Sequence, residues 1–224
     1  MALFVRGAIL FDLDGVLVDS TLCAGRIWKS WAQEQGLDPE RMVLLAHGRP
    51  TIETIRMVAP QLDAQFETEK IEEREVNDVD GLKALPGARE LLTGLAPERY
   101  AIVTSGSRRL ATARLRAAGL PVPERMITAD DITKGKPDPE PYLKGARLLG
   151  QAPENCMVFE DAPAGILAAK AAGMTVIAFP TTYPLDALSE ASCIAQSLGS
   201  VHVETLGSGE LELKIETFEP CFCP

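Results

Sequence analysis

The chain has 224 residues, 46 % of them hydrophobic and 24 % charged, which is an ordinary composition for a folded protein. Its net charge of −10 and the lack of a basic stripe argue against nucleic acid as a partner. No apolar run is long enough to cross a membrane, and too few residues precede the first predicted strand for a signal peptide, so we expect no membrane partner and a cytoplasmic location.

The first predicted element is a short buried strand that ends in two acids. Residues 8–11 are apolar, Asp12 and Asp14 follow, and Gly15 permits a tight turn. Acids two residues apart on an extended chain point the same way, so negative charge gathers at one strand end. A cation with oxygen ligands, most simply Mg²⁺, would balance it. The alternative is a turn with two solvated acids, but the apolar residues 16–18 favour the functional interpretation.

Residues 19–84 show helical periodicity and no strand pattern, so they predict an inserted helical bundle. The predicted helices are 22–35, 39–46, 51–58 and 62–76. The last one carries a run of acids that we interpret as a solvated helix face: Glu67, Glu69, Glu72, Glu73 and Glu75. The turn His47-Gly48-Arg49 separates the second helix from the third, and its side chains either face a partner or lie in solvent.

From residue 85 onward, strands and helices alternate, which predicts an α/β protein with a doubly wound, Rossmann-like, mainly parallel sheet. The chain then forms a core from residues 1–18 and 85–224 and a cap from residues 19–84. The predicted core strands are 100–104, 126–129, 156–160 and 175–179, and the predicted helices are 87–95, 107–118, 139–149 and 164–172. Alternating residues around a Gly-Ser-Gly turn at 207–209 predict a C-terminal antiparallel hairpin at the sheet edge.

In an open parallel sheet, ligands bind beyond the carboxyl ends of the strands. The residues that follow the predicted strands are therefore candidates for a site: Asp12, Asp14, Ser105, Gly106, Lys136, Glu160 and Asp161. Backbone N–H groups at a helix start can hold phosphate oxygens, and a lysine can neutralise them. Each has a structural alternative: a helix cap at Ser105, a surface lysine at Lys136 with Lys134 as its competitor, and acids that face a helix dipole at 160–161.

Four segments in order resemble the motifs of the haloacid dehalogenase superfamily: Asp-Leu-Asp-Gly-Val from 12, Val-Thr-Ser-Gly-Ser from 103, Gly-Lys-Pro-Asp-Pro-Glu-Pro-Tyr from 135, and Phe-Glu-Asp-Ala-Pro-Ala-Gly from 159. The resemblance implies that Asp12 is a nucleophile and Asp14 an acid/base. It makes Ser105 the motif-two hydroxyl and Lys136 the motif-three lysine. It places Mg²⁺ among Asp12, Asp14 (through its main-chain carbonyl), Asp161 and Glu160, the last as a ligand or a supporting acid.

Smaller pieces suggest a subgroup. The turn His47-Gly48-Arg49 and the segments around Ser105 and Glu160 are similar to bacterial sugar and hexitol phosphatases and to the 2-deoxyglucose-6-phosphatase and glycerol-3-phosphatase group. The helical insert then resembles a type-one cap, with His47, Gly48 and Arg49 facing the substrate beside Gly106. The resemblance implies a Mg²⁺-dependent phosphatase for a small phosphorylated sugar or polyol, which we expect to be a monomer.

Three other functions are weighed against this one. A hexose phosphate mutase of the same superfamily would carry a histidine twelve residues after the nucleophile, where this chain has Ala24. A dehalogenase lacks the second acid, so Asp14 argues against it. A binding module without activity would have lost Asp12 or Lys136.

The chain has five cysteines, Cys23, Cys156, Cys193, Cys221 and Cys223, which are odd in number and scattered. This pattern favours free thiols over a disulfide framework.

Overall fold

The computed structural model describes residues 1–218. Its strands are β1 Ala2–Arg6, β2 Ala8–Phe11, β3 Val18–Asp19, β4 Lys83–Ala84, β5 Tyr100–Val103, β6 Met126–Ile127, β7 Cys156–Glu160, β8 Thr175–Ala178, β9 Cys193–Ile194, β10 Val201–Thr205 and β11 Leu211–Ile215. Its α-helices are α1 Thr21–Glu34, α2 Pro39–Ala46, α3 Thr51–Val58, α4 Ala64–Asn77, α5 Ala88–Gly94, α6 Arg108–Ala117, α7 Glu140–Leu148 and α8 Pro163–Ala171.

The core is a six-stranded parallel sheet in the order β6-β5-β2-β7-β8-β9. Strand β2 is central and fully buried, as its apolar run predicts. Because successive side chains on a strand point to opposite faces, Ile9 and Phe11 pack into one hydrophobic cluster, and Ala8 and Leu10 pack into the other. The α/β prediction with a parallel core sheet is therefore confirmed, and the acids after β2 lie at the middle of one sheet edge.

The predicted C-terminal hairpin is present as β10 and β11, but it does not extend the main sheet. It joins β1 in a separate antiparallel sheet of order β1-β11-β10, with Ala2 opposite Ile215. Strand β1 was not predicted, and neither was the two-residue strand β9 at the sheet edge. Four of the five β1 residues are apolar, as in the predicted strands, but only the middle one, Phe4, is buried, as suits an edge strand. Strand β9 has two residues, which are too few to show a periodic pattern.

The helices α1 to α4 surround a hydrophobic cluster of their own, with Trp31 fully buried at its centre. The interpretation of the acidic run on α4 as a solvated face is wrong for two of its members. Glu67 and Glu75 are buried, four residues on either side of the buried Ile71. Glu67 accepts a hydrogen bond of 2.7 Å from Trp31 Nε1, so this acid belongs to the interior of the bundle.

The chain passes between the helical bundle and the core through a two-stranded antiparallel ladder of β3 and β4. Val18 pairs with Ala84 and Asp19 with Lys83, so the predicted boundaries at 18/19 and 84/85 fall at this ladder. The division into core and cap stays a prediction, but a pair of strands two residues long is a natural hinge.

Within residues 1–218, no helix is both long enough and apolar enough to cross a membrane. Cys23 and Cys156 are free thiols, as expected. The expectation is wrong for Cys193, which is disulfide-bonded. Cys221 and Cys223 lie outside the described residues.

Candidate active site

The predicted site residues come from neighbouring strands of the core sheet. Asp12 follows β2, Ser105 lies two residues beyond β5, and Glu160 ends β7, which pairs with β2. Gly15 closes the turn after β2 at φ +81°, and a side chain there would collide with the Asp161 carboxylate. This close approach explains why a glycine follows the two acids.

Lys136 joins two acids at the centre of this edge. Its Nζ atom lies 2.6 Å from Asp12 Oδ1 and 2.7 Å from Glu160 Oε1, and it donates to the Val103 carbonyl at 3.2 Å. Burial opposes the charge of Lys136, but the two carboxylates outweigh it and raise its pKa. The competing Lys134 is exposed and pairs with Asp138 at 3.7 Å, so the geometry favours Lys136 as the lysine of the site.

Glu160 has a full set of protein donors. Its Oε1 atom accepts from Lys136 and, at 2.6 Å, from the Tyr142 hydroxyl. Its Oε2 atom accepts from the backbone N–H groups of Asp161 at 2.9 Å and Ala162 at 3.1 Å. Four donors leave this carboxylate little capacity for a cation, so the geometry favours a supporting acid over a direct metal ligand.

Asp12, Glu160 and Asp161 are buried, and each offers one oxygen within 4.8 Å of the others. Burial raises the pKa of Asp12, against the effect of Lys136, and burial also raises the pKa of Asp161. Adjacent buried carboxylates are stabilised in their charged forms by a hard cation. The donor set therefore fits Mg²⁺, with Asp12 and Asp161 as the carboxylates best placed to hold it.

The Asp14 side chain is not part of that acid group. Its Oδ1 atom accepts from Ser20 Oγ at 2.6 Å, and its Oδ2 atom accepts from Arg114 at 2.7 Å. Arg114 also donates to Glu75 on α4 at 3.1 Å. Sequence reasoning missed Arg114 and Glu75, although Arg114 stands beside the buried Leu110 and Leu115 on the inner face of α6, where a charged residue calls for a partner.

Ser105 and Gly106 lie at the start of α6, but the cap residue of this helix is Ser107. The Ser107 side chain accepts from the Leu110 N–H at 3.1 Å, so the capping alternative applies to Ser107. Ser105 Oγ instead donates to the Gly48 carbonyl at 3.2 Å, across to the helical bundle. The Gly106 N–H donates to Thr104 Oγ1 at 3.1 Å.

The turn at 47–49 reaches the acid group from the helical bundle. His47 Nε2 lies 3.3 Å from Asp161 Oδ2, and its ring packs edge-on against Tyr183. Burial opposes the charged imidazole, but the hydrogen bond and charge of Asp161 outweigh it and raise the pKa of His47. Arg49 is exposed and donates to Met57 Sδ at 3.4 Å, with no described contact to the acids.

A cavity of about 90 Å³ lies between the bundle and the strand ends. It is smaller than the roughly 300–1,000 Å³ typical of ligand pockets, so the space between the bundle and the strand ends is narrow in this arrangement. The cavity is lined from the core by Asp12, Asp14, Ser105, Gly106 and Arg114, and from the bundle by Ala24, Trp28, His47, Gly48, Arg49 and Glu75.

Comparison with known proteins assigns this site to a class. Residues 9–179 match the model of the haloacid dehalogenase-like hydrolase family, so the chain belongs to that family. Hexitol phosphatase A of Escherichia coli is 43 % identical over 90 % of this chain and 96 % of its own length. Glycerol-1-phosphate phosphohydrolase 2 of Saccharomyces cerevisiae is 38 % identical over 83 % of this chain and 79 % of its own length. The crystal structure of a Pseudomonas syringae hydrolase superposes with a TM-score of 0.77 at 28 % identity. The match covers 86 % of this chain and 94 % of the hydrolase chain.

Proposed function

We propose that this chain is a Mg²⁺-dependent phosphatase that hydrolyses a small phosphorylated sugar or polyol through an aspartyl-phosphate intermediate. The observation that carries the proposal is the contact of Lys136 with both Asp12 and Glu160, beside Asp161, at the end of the central strand. The substrate class is supported by the names of the relatives, one a hexitol phosphatase and one a glycerol-1-phosphate phosphohydrolase.

In the first step, an Asp12 carboxylate oxygen attacks phosphorus as the bond to the leaving oxygen breaks. Lys136 lies 2.6 Å from Asp12, so its charge stabilises the phosphoryl oxygens near the nucleophile. Asp14 gives a proton to the leaving oxygen. Ser105 and Gly106 line the cavity, and the Ser105 hydroxyl supplies a donor to the phosphoryl group by turning away from the Gly48 carbonyl while the bundle stays seated.

In the second step, Asp14 takes a proton from water as the water oxygen bonds to phosphorus and the Asp12–phosphorus bond breaks. This step returns Asp12 as a carboxylate and releases phosphate. The helical bundle, which forms one wall of the cavity, limits the water that reaches the site in the first step.

Asp12, Asp161 and the main-chain carbonyl of Asp14 would hold Mg²⁺, with Glu160 as the acid that orients Lys136. When bound, the ion would supply positive charge that screens the nucleophile from the phosphoryl oxygens. Because Lys136 is the one lysine or arginine among the described residues that contacts Asp12, Glu160 or Asp161, we expect activity to vanish in EDTA and to return with Mg²⁺. Asp161→Ala should raise the Mg²⁺ concentration needed for half activity.

The test of the proposed function is phosphate release from a panel of sugar, polyol and glycerol phosphates and nucleotides. We expect hydrolysis of at least one sugar or polyol phosphate with Mg²⁺. Formation of an isomeric hexose phosphate without phosphate release would instead support the mutase. Ala24 argues against the mutase, because it stands in the cavity wall at the position where a mutase would have a histidine. We also propose a monomer in the cytoplasm, and light scattering after gel filtration tests the oligomeric state.

A further inference from the structure

A buried arginine connects the proposed acid/base to the helical bundle. Arg114 lies on α6 of the core, and its side chain is 8 % exposed. One guanidinium nitrogen donates to Asp14 Oδ2 at 2.7 Å, and the other terminal nitrogen donates to Glu75 Oε1 on α4 at 3.1 Å. Asp14 and Glu75 are themselves largely buried. Three charged groups are thus held together below the protein surface.

The shape of the guanidinium suits this arrangement. Its planar fork presents several donors in fixed directions, so a single arginine can hold two carboxylates at once. Ser20 Oγ donates to the other Asp14 oxygen at 2.6 Å, which leaves the carboxylate little freedom to rotate. The Asp14 carboxylate is therefore fixed by one residue of the core and one residue at the start of α1.

The second partner makes this hold depend on the bundle. Glu75 belongs to α4, which the β3–β4 ladder joins to the core, so Glu75 reaches Arg114 only when the bundle is seated. A buried charge that loses a partner is strongly destabilised. Seating the bundle thus supplies the second carboxylate that holds the Arg114 side chain, and through it the contact of Arg114 with Asp14.

We propose that Arg114 is a positioning residue that holds the Asp14 carboxylate in its reactive place, and that Glu75 makes this hold depend on a seated bundle. The proposal rests on the proposed function, in which Asp14 moves the protons. No described hydrogen bond joins Arg114 to Asp12, Lys136 or Asp161, so among the proposed catalytic residues Arg114 contacts Asp14.

A positioning role and a general structural role of Arg114 predict different effects on the two reaction steps. p-Nitrophenolate leaves without a proton, so attack by Asp12 on p-nitrophenyl phosphate needs Asp14 little. Hydrolysis of the aspartyl phosphate still needs Asp14, because water must lose a proton as its oxygen bonds to phosphorus and the Asp12–phosphorus bond breaks. Loss of Arg114 should therefore slow the second step with this substrate, and both steps with a polyol phosphate.

The experiment compares Arg114→Ala and Arg114→Lys with the unchanged protein by rapid mixing with p-nitrophenyl phosphate and Mg²⁺. We expect a p-nitrophenolate burst of unchanged rate, followed by a steady state about ten- to hundredfold slower, a part of what general acid–base catalysis contributes. KM should not rise. Arg114→Lys should lose less, because a lysine keeps one contact but not the fork, and acid-labile phosphate on the protein should accumulate in both variants.

Arg109→Ala is the matched control. Arg109 also joins α6 to α4, at 2.5 Å from Glu73, but both side chains are more than half exposed and neither contacts Asp14. This control should keep the burst and the steady state of the unchanged protein. Glu75→Gln keeps the shape of its residue and loses the charge, so it should slow the steady state less than Arg114→Ala and leave the burst intact.

Other outcomes overturn the proposal. A burst that slows as much as the steady state assigns Arg114 to phosphoryl attack or to the fold, and a raised KM for polyol phosphate alone assigns it to substrate binding. If Arg114→Ala does not fold by circular dichroism, the double variant R114M/E75M replaces the buried pair by apolar groups and takes its place. An inactive unchanged protein refutes the proposed function, whereas an active one with normal Arg114 variants refutes only this inference.

Discussion

At the scale of single residues, the proposed function depends on one carboxylate in a costly position. Asp12 is buried and shares its lysine with Glu160, and burial raises its pKa. Its charge is maintained by Lys136 and, in the proposed function, by Mg²⁺. A protein retains such a group where the site uses it, because burial of a charge otherwise costs stability.

The first prediction concerns Asp12→Asn. An amide of the same shape keeps the packing but is not a nucleophile, so turnover and labelling of the protein by substrate phosphate should both disappear. Melting measurements should show a folded protein, because Lys136 keeps Glu160 as a partner. Appreciable turnover by a folded variant, shown by mass spectrometry to retain the asparagine, would contradict the mechanism.

The second prediction concerns Arg49, which lines the cavity from the bundle side while its described hydrogen bond goes only to Met57. Its charge is free to meet an anionic or hydroxyl-rich substrate in this acidic protein. Arg49→Ala should lower kcat/KM for the best sugar phosphate by about tenfold, the scale of one lost charged contact. p-Nitrophenyl phosphate, which has no sugar hydroxyls, should lose much less.

Parallel kinetics with the two substrates check this prediction. Arg56→Ala is the control, since Arg56 is a basic residue of the neighbouring helix α3 that does not line the cavity. Equal losses on both substrates would show that Arg49 serves the phosphate or the fold, and no loss would show that the turn is only solvated.

At the scale of the elements, the strands and helices that could be predicted are those with a clear apolar periodicity in the sequence. Strands β2, β5, β7 and β8 have four or five largely apolar residues and were predicted. Strand β1 is equally apolar but was not predicted, and β9 has only two residues. The sites after the predicted strands followed from topology alone, because parallel strands end at one edge. Arg114 and the buried glutamates could not follow from topology, since they depend on how α4 packs against α1 and α6.

The burial of Glu67 and Glu75 on α4 could have been predicted from their spacing in the sequence. Glu67, Ile71 and Glu75 are spaced four residues apart, which places them along one side of α4. A buried isoleucine between two acids indicates that the acids share its surroundings. Treating the glutamates as one charged run hid this spacing, whereas Glu73, also in the run, is exposed and pairs with Arg109.

The third prediction concerns the packing of α1 against α4. Glu34 on α1 accepts from Arg74 at 2.7 Å and from Lys70 at 3.0 Å, and these hydrogen bonds lower the pKa of Glu34 to about 2. A lowered folded-state pKa stabilises the fold above the unfolded value of 4.5. Glu34→Gln should thus lower the free energy of unfolding at pH 7 by no more than about 1 kcal/mol, since the pair is solvent-screened.

Urea unfolding at several pH values checks this expectation. The difference between Glu34→Gln and the unchanged protein should persist down to about pH 4.5 and shrink as the pH falls toward 2, because over this range Glu34 takes up a proton first in the unfolded and then in the folded protein. Glu72→Gln, which removes a charge from α4 at a residue outside the described ion pairs, is the control. A difference independent of pH would show that the charge of Glu34 does not stabilise the bundle.

At the scale of the whole molecule, the helical bundle and the core meet through polar contacts around the site. His47 reaches Asp161, Ser105 reaches the Gly48 carbonyl, and Glu53 on α3 accepts from the Gly135 N–H at 3.1 Å. These contacts link the bundle to the segments that hold the acids and the lysine. In the proposed function, these contacts break when the bundle opens for substrate and form again when it closes for reaction.

The last prediction tests this closure at Gly48. Its φ is +74°, and a Cβ atom added there would lie 3.1 Å from Ala162 Cβ, on the core next to Asp161. Gly36 has a similar φ of +68° with open space around it. Alanine is strained by about 1–2 kcal/mol at either position, but only Gly48→Ala pushes the bundle away from the core. We expect Gly48→Ala to lower kcat/KM about tenfold, the effect of about 1.4 kcal/mol, a cost within the range of overpacking. Gly36→Ala should lose stability in thermal melts and keep kcat/KM, so equal activity of the two variants would show that closure does not depend on this contact.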